Sequence, residues 1–183
     1  FVAVIPPPAA LSGLATAVAG LRELPGADRL RWTQPDSWHF TVAFYGEVAE
    51  ELLPELTERL TRAAHRHRPY ELRLVDGGRF AHRTLWVGAD GELPAMARLA
   101  ATAAAAGRRT GIPVDERRSY TPHLTLARNT KGADLRPFAA GLAGFAGTPW
   151  TVEELVLLRS HPPEPGVEGA QPRYEPLMSR PLG

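Results

Sequence analysis

Two short segments of this sequence place a histidine and a threonine two residues apart in nearly identical surroundings. The first reads Trp-His-Phe-Thr-Val-Ala and contains His39 and Thr41; the second reads Pro-His-Leu-Thr-Leu-Ala and contains His123 and Thr125. A single His-x-Thr is weak evidence, because the two residue types meet at this spacing by chance in many chains. The shared apolar residues, the shared alanine and the separation of 84 positions make the pair specific.

Both segments have the composition of β-strands, and residues two apart on a strand share a face, roughly 7 Å from each other. Alternation places His39 and Thr41 on one face of the first segment and Phe40 and Phe44 on the other. Two such strands side by side would surround one cavity with two imidazoles and two hydroxyls. Hydroxyls donate hydrogen bonds to phosphoryl oxygens, and imidazoles exchange protons near neutral pH.

This combination favours acid–base chemistry on a phosphate ester. One histidine can deprotonate water while the other protonates the departing sugar oxygen, which suits a strained cyclic phosphate and needs no metal. Other interpretations are weaker. A purely structural role, in which each half-buried histidine only forms hydrogen bonds to its neighbours, would explain a single His-x-Thr motif. It explains two matched motifs less well. A metal site needs a third strong ligand, and neither motif has a carboxylate nearby on the same face.

Composition excludes several classes of protein. The chain has no cysteine, so thiolate metal sites and cysteine nucleophiles are absent. No Gly-x-Ser-x-Gly elbow and no glycine-rich phosphate loop occurs. A formal net charge of +1 argues against gripping long nucleic acid by charge alone, but leaves room for a small anion in a local pocket. No apolar stretch reaches the length of a membrane span, so we expect a cytoplasmic protein and no membrane partner.

The order of apolar patterns and breaks predicts β-α-β-β-α-β-β-α-β-α-β in one α+β domain covering residues 1–183, with helices on the outer faces of antiparallel or mixed sheets. The pattern predicts strands near 1–5, 30–33, 38–46, 70–75, 84–88, 123–128 and 151–159. It predicts helices near 9–23, 50–66, 93–107 and 134–143. Asp76-Gly77-Gly78 is expected to end the fourth strand. A short edge strand near 174–177 and a loop at 161–173 complete the chain.

The sequence resembles the bacterial and archaeal RNA 2′,3′-cyclic phosphodiesterases, long called 2′-5′ RNA ligases, of the two-histidine phosphoesterase superfamily. The resemblance runs nearly end to end and is carried by the segments FVAVIPPP, WHFTVAFYGEV, GGRFAHRTLWVG, YTPHLTLAR and VEELVLLRS. One departure is the segment 161–174, which is longer than the corresponding loop of the family. That segment is in a position to cover the cleft.

The resemblance implies a two-lobed fold with pseudo-twofold symmetry, in which the motifs face each other across a central cleft. It implies that His39 donates a proton to the leaving 3′ oxygen and that His123 is the base for water. Thr41 and Thr125 would bind the phosphate, and the product would keep a 2′-phosphate. The implied substrates are RNA with 2′,3′-cyclic phosphate ends or cyclic nucleotides. By default we expect a monomer, and the acid–base chemistry predicts no cofactor and no metal.

Two further residues are candidates for substrate binding. Arg128 occupies the place of the family's trailing arginine, but strict alternation points it away from His123, so a phosphate contact requires a twist or bulge at the strand end. Phe80 follows a glycine pair and could stack on a base or pack in the core. Four arginines surround the approach to the second motif, where they would steer RNA or form a solvated face: Arg108, Arg109, Arg117 and Arg118.

Two other functions remain open at this point. The same cleft, run in reverse, would join RNA ends through a 2′-5′ linkage. Alternatively, the cleft would serve as a pocket for RNA ends or nucleotides without catalysis.

Overall fold

The computed structural model describes residues 1–114, 120–166 and 170–183, so Arg117, Arg118 and part of the 161–174 segment lie outside the described residues. Within them are strands β1 Val2–Val4, β2 Leu30–Trp32, β3 Phe40–Ala43, β4 Tyr70–Phe80, β5 Thr84–Gly91, β6 Leu124–Asn129, β7 Trp150–Val152, β8 Glu154–His161 and β9 Arg173–Pro181. The α-helices are α1 Pro8–Arg22, α2 Leu53–Ala64, α3 Leu93–Arg109 and α4 Arg136–Ala140, and 3₁₀ turns cover Ala27–Arg29, Pro35–Ser37 and Glu50–Leu52.

The strands form one antiparallel sheet with the order β7-β4-β5-β6-β3-β1-β8-β9, and β2 also pairs with β6. The first four strands of this order lie within the central part of the chain, residues 70–152, and the last four include the strands nearest both chain ends. The two halves of the sheet meet where Phe40 of β3 pairs with Leu124 of β6. The α+β class predicted from the sequence is confirmed, with antiparallel pairing throughout the described strands.

The main core lies on one face of this sheet. Phe40 and Leu124 are fully buried there, in a single cluster with side chains from all four helices, among them Leu14, Leu56, Leu99 and Phe138. Because the helices cover the face to which Phe40 and Leu124 point, their strand neighbours point to the opposite face. Within the described part of the chain, no helix has the length and apolar character needed to cross a membrane.

Several element boundaries differ from the prediction. The strand expected to end at Val75 continues to Phe80. It does so because Asp76 is an extra residue in the pairing with β5, held at φ 48°, and its carboxylate accepts a hydrogen bond from the backbone N–H of Gly144. Asp tolerates this left-handed conformation better than most residues. The predicted strand 151–159 is divided into β7 and β8, the helix near 50–66 begins as a 3₁₀ turn, the helix near 134–143 is shorter, and β9 is longer.

The glycine pair in β4 allows two large side chains to lie directly on the strand. A Cβ on Gly77 would come within 2.5 Å of Leu142, and one on Gly78 within 2.2 Å of the Trp86 ring. The glycines are therefore needed for close packing, where the sequence pattern had indicated a strand break.

We expect Gly78→Ala to lower the free energy of unfolding by about 1–3 kcal/mol, because the added methyl group must displace the Trp86 ring. Urea-induced unfolding measures this. Gly20→Ala is the matched control, since nothing lies within 4 Å of a Cβ at that position of α1. It should stabilise the protein by about 0.5–1 kcal/mol. Equal effects of the two substitutions would contradict the packing argument.

Candidate active site

A cavity of about 320 Å³ opens over the junction of β3 and β6 on the face opposite the helices. It is lined by residues of both His-x-Thr motifs and by β2, the end of β8 and the start of β9. The lining side chains are Phe1, Arg31, Thr33, Ser37, His39, Thr41, Phe44, His123, Thr125, Arg128, Ser160, Gln171, Pro172 and Tyr174. The structure thus brings together around one cavity both histidines, both threonines and Arg128.

The register between the motifs makes this arrangement symmetric. Phe40 pairs with Leu124 in antiparallel fashion, and each is the middle residue of its His-x-Thr. Extending the register by one residue in each direction places His39 across from Thr125 and Thr41 across from His123. Directly opposed residues of an antiparallel pair have Cβ atoms roughly 5 Å apart. Each histidine therefore has the other motif's threonine as its cross-strand neighbour.

A β-bulge follows the threonine in both motifs. In β3, Val42 is the extra residue in the pairing with β1, and in β6, Leu126 is the extra residue in the pairing with β5. A bulge shifts the alternation of the residues that follow it. The bulge on which an Arg128 contact depended is therefore present, and Arg128 lines the cavity. The expectation for Phe44 was wrong: strict alternation put it on the face away from His39, whereas it lines the cavity with 66% of its surface exposed.

Backbone carbonyls fix the orientation of both imidazoles. Nδ1 of His39 lies 2.8 Å from the carbonyl oxygen of Ser37, and Nδ1 of His123 lies 2.8 Å from that of Thr121. A carbonyl oxygen only accepts hydrogen bonds, so Nδ1 carries the proton and donates in both cases. This leaves Nε2 of each ring as the atom that can give or take a proton at a ligand.

Aromatic rings hold the two imidazoles from the side. His39 stacks on Phe1 with ring centroids 4.9 Å apart, and the Tyr174 ring lies edge-on at 5.2 Å. His123 has the Phe80 ring edge-on at 4.7 Å, and Phe80 in turn lies 5.3 Å from Trp86. Phe80 is 39% exposed but does not belong to the described lining of the cavity, so its observed contact is with His123.

The cavity is electrostatically positive. Arg31 and Arg128 line it, and no carboxylate does so among the described residues. Burial raises the pKa of the Tyr174 hydroxyl, and the charges of Arg128 and Arg31 oppose that shift. Burial lowers the pKa of His39 to about 4, with a further contribution from His123, against the opposing effect of the Ser37 carbonyl. Among the described residues, no group of three or more His, Asp or Glu side chains is placed to hold a metal ion.

Sequence reasoning did not select Arg31, Phe44 or Tyr174 as site residues. A signal for Arg31 was present, because it lies between Leu30, which is buried, and Trp32, which packs against the core. On a strand, the residue between two core-facing neighbours points to the other face. For Phe44 the alternation signal was misleading, because the bulge reverses it.

A model of the 2′-5′ RNA ligase superfamily matches residues 7–164. An RNA 2′,3′-cyclic phosphodiesterase of Geobacillus stearothermophilus is 31% identical over 82% of this chain and 47% of its own length. One of Archaeoglobus fulgidus is 31% identical over 59% of this chain and 61% of its own length. This chain therefore spans only about half to three fifths of these relatives.

Solved structures share the fold. A crystal structure of E. coli LigT complexed with 3′-AMP is 26% identical, covers 100% of this chain and 96% of the solved chain, and superposes with a TM-score of 0.80.

The low pKa of His39 makes stability depend on pH. The folded state releases the His39 proton near pH 4, while the unfolded chain binds it up to about pH 6.5, so protons favour unfolding between these values. We expect His39 to lower the free energy of unfolding progressively from pH 6.5 to pH 4, by up to about 3 kcal/mol. Urea unfolding of the wild type and of His39→Gln at pH 7.5 and pH 4 measures this. If the difference between the two proteins is the same at both pH values, His39 is not held in its neutral form by the fold.

Proposed function

The chain belongs to the 2′-5′ RNA ligase superfamily, and from this we propose that it hydrolyses RNA 2′,3′-cyclic phosphate ends to 2′-phosphomonoesters. The observation that carries the proposal is the pair of imidazoles, each with Nδ1 bound to a carbonyl oxygen and each facing one cavity beside the other motif's threonine. This arrangement supplies two proton-transfer atoms and two hydroxyl donors around a single phosphate.

The proposed reaction is a displacement at phosphorus. Nε2 of His123 accepts a proton from water as the water oxygen bonds to phosphorus. The bond from phosphorus to O3′ breaks, and Nε2–H of His39 gives its proton to O3′. The Thr41 and Thr125 hydroxyls and the Arg128 guanidinium stabilise the non-bridging oxygens, where negative charge increases in the transition state. The products are a 3′-hydroxyl and a 2′-phosphate, and a second proton transfer returns both histidines to their starting forms.

The acid role of His39 depends on the substrate. With a pKa of about 4, His39 is neutral in the free protein near pH 7 and cannot donate a proton from Nε2. A bound phosphate brings a negative charge next to the imidazole, and an adjacent opposite charge favours the protonated form. Substrate binding therefore charges the acid, and a free protein without substrate keeps the ring neutral.

Replacing either proposed catalytic histidine tests the assignment. We expect His39→Ala and His123→Ala to lower kcat on an oligonucleotide with a 2′,3′-cyclic phosphate end by roughly 10²- to 10⁴-fold, with binding largely intact. His82→Ala is the matched control, because His82 lies in the turn between β4 and β5, outside the described cavity lining. Near-normal turnover by His39→Ala would make the assignment wrong.

The product of the same assay separates the alternative functions. The proposal requires a 2′-phosphate that resists a 3′-phosphate-specific phosphatase. A 2′-5′-linked product from two RNA ends would indicate a ligase, and tight binding without turnover would indicate a non-catalytic binder of RNA ends.

The proposed chemistry uses only protein side chains, so activity should persist in excess EDTA within about twofold of the untreated rate. The physical reason is that water activation is assigned to an imidazole and not to a metal-bound hydroxide. A loss of activity in EDTA that zinc restores would contradict this. The monomeric state and the cytoplasmic location expected from the sequence stay predictions.

A further inference from the structure

Arg31 and Arg128 face each other directly across β2 and β6. Their Cα atoms are register partners in the antiparallel pair, and both side chains line the cavity. Like charges in opposed positions of an antiparallel pair are destabilising. Within the described part of the chain, neither guanidinium has a hydrogen bond or an ion pair with another side chain. The cavity therefore holds two cations that no carboxylate of its described lining neutralises.

The two charges exceed what the reacting group needs. A 2′,3′-cyclic phosphate is a diester with one negative charge, and Arg128, at the end of the second motif, is enough to neutralise it. Arg31 belongs to another strand, and Thr33, two residues further on, faces the same cavity. The backbone N–H of Thr33 donates a hydrogen bond of 2.8 Å to the carbonyl oxygen of the bulge residue Leu126, which joins the end of β2 to the strand of the second motif.

The spacing fits a second phosphate. Arg31 lies opposite Arg128, and Arg128 lies beyond Thr125 on the same strand with the bulge between them. Thr125 and Arg128 pair with Trp86 and Thr84, which are two residues apart on β5, so Arg128 lies roughly 7 Å along the strand from Thr125, about the span of one ribose between two phosphates. A phosphate held at the histidines and threonines would thus place its neighbour on the RNA strand near the pair of arginines, in which Arg128 belongs to the strand of the second motif and Arg31 to β2.

We propose that Arg31 binds the phosphate on the 5′ oxygen of the terminal nucleoside, so that the cavity selects RNA ends and 5′-phosphorylated cyclic nucleotides over cyclic nucleotides with a free 5′-hydroxyl. This rests on the proposed function, because it assigns the reacting phosphate to the two motifs. Arg31 is then a specificity-determining residue and takes no part in proton transfer. A guanidinium suits this role because it donates several hydrogen bonds to phosphate in a fixed geometry.

The kinetic experiment compares adenosine 2′,3′-cyclic phosphate carrying a 5′-hydroxyl with the same nucleotide carrying a 5′-phosphate, and with a dinucleotide that ends in a cyclic phosphate. For the wild type, kcat/KM should be higher on the last two substrates by roughly tenfold or more. Arg31→Gln should lose roughly 10- to 100-fold on those two and stay within about twofold on the 5′-hydroxyl substrate. Arg29→Gln removes one positive charge at a position outside the described cavity lining, and it should leave kcat/KM unchanged on all three substrates.

Equal losses on all three substrates would overturn the proposal, because Arg31 would then serve the reacting phosphate. Unchanged values on all three would overturn it as well. Circular dichroism and thermal unfolding establish that both variants are folded, and Arg31→Lys should recover part of the preference.

A binding measurement keeps the inference separate from the proposed function. Calorimetric titration with adenosine 2′,5′-bisphosphate and with adenosine 2′-monophosphate requires no turnover. Arg31→Gln should raise the Kd for the bisphosphate by roughly 10- to 100-fold and the Kd for the monophosphate by no more than about twofold. If the wild type hydrolyses none of the substrates, the proposed function fails, whereas equal weakening of both ligands makes the Arg31 assignment wrong.

Discussion

The pairing of Phe40 with Leu124 is the constraint on which the site depends. Both side chains are fully buried on the helix-covered face, and their strands join the two halves of the sheet at this pair. Because strand side chains alternate, burying these two residues forces the histidine and threonine on either side of each to the opposite face. A slip of one residue in either strand would turn that motif into the core. The same hydrophobic contact that holds the halves together therefore sets the geometry of the proposed catalytic groups.

The two motifs share a backbone geometry, but the side chains around them differ. Both have a carbonyl anchor two residues before the histidine and a bulge after the threonine, but the residue turned into the cavity is Phe44 in one and Arg128 in the other. His39 contacts the rings of Phe1 and Tyr174, and its burial lowers its pKa to about 4, whereas His123 contacts the partly exposed Phe80. Burial thus disfavours the charged form of the His39 imidazole, so that its protonation depends on an anion bound beside it.

Much of this could be predicted from the sequence, and the failures have a common cause. Period-two alternation located the histidines and threonines correctly, because each motif is regular up to its threonine. It failed beyond that point for Phe44, since the extra residue Val42 has no signature of its own in the sequence. The predicted end of β4 was wrong for the same reason. The Asp-Gly-Gly run at Asp76 has the composition of a turn, but in this protein it forms a bulge inside β4. Alternation in β2 directs Arg31 away from the core, but β2 is only three residues long, and the cavity that Arg31 lines is formed with a partner strand almost a hundred positions away.

The carbonyl oxygens that orient the two imidazoles affect which substitutions such a protein can accept. Since main-chain oxygens at Ser37 and Thr121 hold the rings, the reactive geometry is independent of the side chains at those positions. Other side chains of the cavity, such as Phe44 and Arg31, extend from different positions of its rim. The proposed reactive groups and the proposed recognition groups therefore belong to separate parts of the chain. Such a scaffold can acquire new ligand preferences by rim substitutions while the inherited reaction is preserved.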